Sequence, residues 1–317
     1  MKINKIFIIL VVLYLMAIAP AYAQEESHIA EYTDSFEGSK ISFSMESRGF
    51  AMEEESEKLV LKGIARIHRV FVGEFGSKYK KNKKRTFQNK ADANFSIKLF
   101  NSLEEFRKYA LTISRGKIKF SGEGRAFYAP WRKLLVIYLK SDTFPTIFHE
   151  VSHFFYDSQF AGGTQGKLWL NEGLAMYFQG LDMFQAGGVT VQPNERAYLT
   201  LNHLEKEKAL PKLKDYLSLS REEWTGKDEG LNYYIGWSLI YFMMDSEDGS
   251  DMLDKILEYS KAGGSVKKQK KRHAVSVASL IERYYKTGKK KKGGLKKFED
   301  EWLAFLKEGA VPAPHNI

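Results

Sequence analysis

The spacing of apolar positions along the chain changes character near residue 140. Before it, Phe95, Ile97 and Leu99 alternate with polar neighbours, which predicts a half-buried strand over 95–100. Lys133 to Leu139, rich in Leu, Val, Ile and Tyr, predicts another strand, and Ile41 to Ser44 is a candidate first one. Leu59, Leu61, Ile64, Ile67 and Val70 fall close to helical spacing, so a helix is expected over 55–75, stopped by Gly76. A short helix over 102–110 takes Ser102 as its N-cap, with Glu105 three positions on. Gly122, Gly124 and Pro130 mark turns around Arg125 to Tyr128. The polar, acidic stretch Gln24 to Lys40 reads as a flexible lead-in, and Ser77 to Lys90 as a basic loop.

After Asp142 the pattern is helical. Segments are expected at 143–157, 168–183, 194–207, 231–245, 250–260, 275–285 and 295–306. The fold class that follows is α+β, with a sheet-bearing first part over 24–140 and a helical second part over 141–317.

Composition narrows the class. In 317 residues, 22 Phe and 17 Tyr can fill a sizeable core, which argues against a disordered chain. There is no cysteine, so disulfides, thiolate nucleophiles and thiolate metal sites are excluded, and a metal would need His and carboxylate donors. Lys2 and Lys5, the apolar run Ile6 to Ala19 and the small-x-small triplet Ala21-Tyr22-Ala23 have the layout of a secretory signal. Residues 1–23 are expected to be removed, because the run is shorter than the roughly 20 apolar residues of a membrane span. A periplasmic or extracellular protein is the expectation.

The formal charge of +10 becomes +8 without Lys2 and Lys5. The excess sits in Lys78 to Arg85, Lys267 to Arg272 and Lys289 to Lys297. These runs read first as solvated loops or helix ends; their functional reading is a weak contact with an anionic envelope surface. Nucleic acid is not an expected partner, since the runs carry little aromatic interleaving.

One segment carries chemistry. In His149-Glu150-Val151-Ser152-His153 the two histidines lie four apart, so on a helix both imidazoles share one face. Glu150 between them can approach a metal-bound water, giving the arrangement of two ligands and a general base. A catalytic zinc takes three protein ligands and keeps one position open. Glu172, within Trp169-Leu170-Asn171-Glu172-Gly173-Leu174-Ala175, stands 19 positions after His153 and is the candidate third ligand. The interval allows the first helix to end, a loop to turn through Gly162, Gly163 and Gly166, and a second helix to pass the metal.

Together these two motifs resemble the gluzincin metallopeptidases, and among them the bacterial peptidase-MA-like domains of unassigned function. Gly124-Arg125-Ala126-Phe127-Tyr128-Ala129-Pro130 and the later Tyr233-Tyr234-Ile235-Gly236-Trp237 extend the likeness over most of the mature chain, though each is a weak match alone. The resemblance implies a zincin-like fold in which His149, His153 and Glu172 bind one zinc ion and Glu150 activates water. It also implies an oxyanion-stabilising tyrosine that opens a Tyr-x-x-Gly segment. Tyr233 with Gly236 fits that pattern, and Tyr234 is the alternative; both could instead simply pack in an aromatic helix. The strand 133–139, which precedes the metal helix, would be the edge strand that an extended substrate pairs with. No Gly-x-Met-Glu-Asn segment precedes the zinc motif, so aminopeptidase activity is not implied.

The expected function is therefore a zinc metallopeptidase acting on peptide or protein substrates. Its rival is a zincin-fold protein without catalysis that serves as a binding or scaffolding module of the envelope. Glu150 weighs against the rival, since a purely structural metal site needs no general base. Neither oligomeric state nor cleavage specificity is encoded in any motif. His28, His68, His203, His273 and His315 have no ligand-like spacing to the metal set.

Overall fold

The computed structural model describes residues 27–36, 38–75, 93–116, 124–139, 143–161, 167–183, 189–262, 276–287, 293–308 and 310–317. The signal segment, the basic runs 78–85 and 267–272, Lys289 to Lys292 and His273 lie outside them.

The first half builds one mixed sheet. Strands β1 (His28–Phe36), β2 (Ser39–Arg48), β3 (Ala93–Phe100), β4 (Ala126–Ala129) and β5 (Leu134–Tyr138) assemble in the order β1-β2-β3-β5-β4. The pairs β2–β3 and β3–β5 are parallel; β1–β2 and β4–β5 are antiparallel. Helix α1 (Glu54–Arg69), continued by a π-turn over Val70–Glu74, makes the crossover from β2 to β3. Helix α2 (Leu103–Ser114) follows β3, and the Ser102 hydroxyl accepts the Glu105 N–H at 3.3 Å, the N-cap the sequence predicts.

The two faces of the sheet are covered differently. Leu135 and Ile137 of β5 join the main core with α1, whereas Leu134 and Val136 join Phe106 and Ile113 of α2. A strand buried on both faces reads as an unbroken apolar run, and Leu134-Leu135-Val136-Ile137 is one.

From Thr143 the chain is mainly helical. Helices α3 (Thr143–Tyr156, with a π-turn over Asp157–Ala161), α4 (Leu168–Gln179), α5 (Glu195–Lys206), α6 (Leu213–Tyr216), α7 (Arg221–Trp224), α8 (Glu229–Met244), α9 (Glu247–Ala262), α10 (Val277–Thr287) and α11 (Gly294–Lys307) follow in order. Helix α8 buries Ile235 to Tyr241 without a break, so it is apolar on every side and runs through the middle of the bundle. A small antiparallel sheet of β6 (Leu181–Asp182), β7 (Thr190–Val191) and β8 (His315–Asn316) ties the end of the chain to the turn after α4. The fold is thus α+β, with its five-stranded sheet in the first half and helices dominating the second. One cluster of buried side chains runs from Ile41 in β2 to Leu306 in α11, so the two halves share a core.

Three expectations change. Within the supposed flexible lead-in, residues 28–36 form β1, paired with β2 over its whole length. Its inward positions are Ala30, Tyr32, Asp34 and Phe36, and a charge among them hides the alternation. No strand is expected between the turns marked by Gly124 and Pro130, yet Ala126–Ala129 form β4 there, closed by the 3₁₀ turn Pro130–Arg132. It follows that strand 133–139 is not the edge. Strand β5 lies between β3 and β4, and the edge is β4.

Candidate metal centre

Helix α3 turns Ile147, Phe148, Val151, Phe154 and Phe155 into the core and leaves His149 and His153 partly exposed on a common side. One turn apart, their rings sit 4.8 Å centroid to centroid and nearly perpendicular, at 86°. Helix α4 packs alongside and brings in Glu172. Its Oε2 lies 3.6 Å from Nε2 of His149 and 3.4 Å from Nε2 of His153. Each of the three residues offers a donor atom within 4.8 Å of the others, so the group can hold a metal ion.

The tautomers follow from the outer contacts. Nδ1 of His149 is 3.1 Å from Oε1 of Gln179, and Nδ1 of His153 is 3.0 Å from Oδ1 of Asn171. An amide oxygen only accepts, so each Nδ1 carries the proton and donates it. Each Nε2 faces the Glu172 carboxylate, and it is the atom by which such an imidazole would bind a metal.

The carboxyl of Glu150 is buried beside this group, with 7% of the residue exposed. Burial is the main force that pushes it up to about 7, and the Glu172 charge adds to the shift. Positive charge on His153 and a hydrogen bond donated by the Tyr128 main-chain N–H oppose it. The Tyr128 hydroxyl donates to Asp157 at 3.3 Å, which attaches β4 to the π-turn that follows α3. Burial also pushes Glu172 upward, but the two imidazoles and the Tyr233 hydroxyl outweigh it and hold the carboxyl below its ordinary value.

Tyr233 reaches the site from α8. Its hydroxyl interacts with the Glu172 carboxylate, and its ring meets Trp224 edge to face at 4.7 Å. Burial first, then the charges of Glu172, Glu229 and Glu150, raise its pKa well above the ordinary tyrosine value. It therefore remains a donor at any physiological pH. Neighbouring Tyr234 packs partly buried against the core, and no bond from it to the three-residue group is seen.

The approach of α8 to α4 depends on two glycines. A Cβ on Gly173 would lie 2.6 Å from the Gly236 carbonyl oxygen, and one on Gly236 would lie 2.8 Å from the Trp169 carbonyl oxygen. Only helices with bare Cα atoms at this crossing come so close. Glu172 directly precedes one glycine, and Tyr233 stands one turn before the other. The spacing Tyr-x-x-Gly thus has a packing cause: Gly236 sets the contact that aims Tyr233.

All five residues singled out in the sequence, His149, Glu150, His153, Glu172 and Tyr233, meet in one place. Asn171, Gln179 and Tyr128 were not among them. The first two had a signal: in Leu168–Gln179, an otherwise apolar helix, Asn171, Glu172 and Gln179 are the conspicuous polar positions. Tyr128 stood out only within the Gly124 to Pro130 segment of the resemblance, since the group it turns to Glu150 is a main-chain N–H. His28 bonds Glu57, His68 bonds Ser39, and His315 stacks on Tyr241, so these histidines belong to other contacts.

No protein-family pattern matches the chain, and no curated protein gives a significant match to it.

Proposed function

We propose that this chain is an exported zinc-dependent peptidase of the gluzincin type. The observation that carries the reading is the convergence of two imidazole Nε2 atoms and the Glu172 carboxylate beside a buried second carboxyl, that of Glu150. Two nitrogens and one oxygen, with no sulfur, match the His₂Glu donor set of a catalytic zinc centre. Zinc held there supplies Lewis acidity to a water molecule and to the scissile carbonyl.

The remaining steps belong to the chain's own residues. Glu150 accepts the proton of the attacking water on its carboxylate oxygen and hands it to the leaving amine. Tyr233, held in its protonated form, donates to the oxyanion that develops on the carbonyl oxygen. Strand β4 presents the open edge of the sheet, and its Tyr128 N–H lies against Glu150. An extended peptide pairing with β4 would run past the general base, held by main-chain bonds that select little among side chains.

The test compares the purified protein with Glu150→Gln and His153→Ala on a mixed peptide library, with metal content measured for each. Wild type and Glu150→Gln are expected to carry about one zinc per chain, and His153→Ala to lose it. Cleavage should fall by about 10²–10⁴-fold in Glu150→Gln. Cleavage that survives this substitution overturns the role of Glu150. Zinc without cleavage by the wild type favours the non-catalytic envelope module, and absence of zinc overturns the metal reading.

A further inference from the structure

Helix α1 carries a second feature on a face separate from the one at Gly63, which packs against Phe148 of α3. There a groove of about 480 Å³ opens between α1, Tyr32 of β1 and the residues Val189 and Ile317 at the small sheet. Its apolar lining comes from Leu61, Ala65, Val189 and Ile317. Among the described residues its side-chain charge comes from α1, whose Lys58, Lys62, Arg66 and Arg69 repeat at helical spacing along it.

The cations differ in how they are used. Lys58 pairs with Glu54 at 2.8 Å and Glu55 at 3.2 Å, and Arg69 with Asp34 at 3.2 Å. Lys62 and Arg66 have no carboxylate within ion-pair distance among the described residues. Arg66 Nε is buried with no hydrogen-bond acceptor.

We propose that this groove binds a small amphiphilic carboxylate, a fatty-acid-like anion. Its head would lie on Arg66 and Lys62, and its chain along Leu61, Ala65, Val189 and Ile317. Three observations select that class. The volume falls in the range of about 300–1,000 Å³ typical of small-ligand sites, too small for a folded partner. The planar fork of Arg66 matches a carboxylate. The apolar lining gives a purely inorganic anion nothing to contact. The site is independent of the metal centre and of the peptidase reading.

Decanoate, decanol and decyltrimethylammonium titrated calorimetrically into the purified protein test the proposal. Decanoate should bind saturably, and the alcohol and the cation at least about tenfold more weakly, the loss of one charge-assisted contact. Arg66→Gln should weaken decanoate by a similar factor. Lys62→Gln, at an exposed position, should weaken it with no change in melting temperature. Zinc content should be the same in all variants. No decanoate binding, equal binding of decanol, or unchanged affinity in both variants would overturn the site. Tighter binding of an acetylated peptide with a free C-terminal isoleucine would overturn the assignment to fatty-acid-like ligands.

Discussion

Each imidazole of the metal group is fixed at both ends of its ring, and the outer end is the less conspicuous half of the site. The amide oxygens of Gln179 and Asn171 accept hydrogen bonds from Nδ1 of His149 and His153, which holds each ring with Nε2 toward Glu172. Such partners are commonly worth about 10–100-fold in metal affinity. Asn171→Ala and Gln179→Ala should each weaken zinc binding by that order in a chelator competition, with the fold unchanged by circular dichroism. Tyr233 makes a different kind of contribution. Its hydroxyl interacts with Glu172, yet it is not one of the donor set. Tyr233→Phe should therefore keep its zinc while kcat falls by about 10²–10³-fold, the usual cost of one oxyanion donor. A proportional loss of zinc and rate would assign the hydroxyl to holding Glu172 instead.

At the scale of elements, the crossing of α4 and α8 converts two separate motifs into one site. Gly236→Ala puts a methyl 2.8 Å from the Trp169 carbonyl oxygen, against backbone that has nowhere to go. The helices must separate, costing about 1–3 kcal/mol and drawing Tyr233 off Glu172. A methyl on Gly230, on the same helix, would meet nothing within 4 Å among the described residues. Gly230→Ala should stabilise by about 0.5–1 kcal/mol, so urea unfolding of the pair separates crowding from helix propensity. This crossing also shows which parts of the molecule the sequence reveals. The segments α1 and α5 and strand β3 are legible because each turns one apolar face inward and one polar face outward. Strand β1 is not, since Asp34 stands on its inner side and is held by Arg69 rather than by apolar packing. Strand β4 is four residues long, too short for any period to register, and its place at the edge depends on pairing with β5. The candidate metal-holding trio is legible through spacing alone, whereas Tyr128 contributes a main-chain N–H that any residue but proline could supply.

For the molecule as a whole, the joint between sheet and helices passes through a histidine outside the site. His68 of α1 is fully buried, bonds Ser39 of β2 at 3.1 Å and stacks on Phe155 of α3 at 5.5 Å. It thus touches the sheet and both helices that cover one face. Burial lowers its pKa to about 4; Asp34 opposes the shift and Arg69 adds to it. The folded protein holds this ring neutral down to about pH 4, while the unfolded chain takes up its proton near the ordinary value of about 6.5. Between those limits the unfolded state binds more protons, so stability falls as pH drops from about 6.5 to about 4 and is fully present above that window. His315, also lowered mainly by burial, acts in the same direction, and Glu150, raised to about 7, acts in the opposite one, so the slope of the wild type alone does not isolate His68. The difference between two proteins does. His68→Gln should be less stable than wild type at about pH 7.5, through lost packing on Phe155, yet should lose less further stability on going to about pH 5. Urea midpoints of both proteins at the two pH values measure this. Parallel losses in the two would show that His68 is already protonated in the folded state.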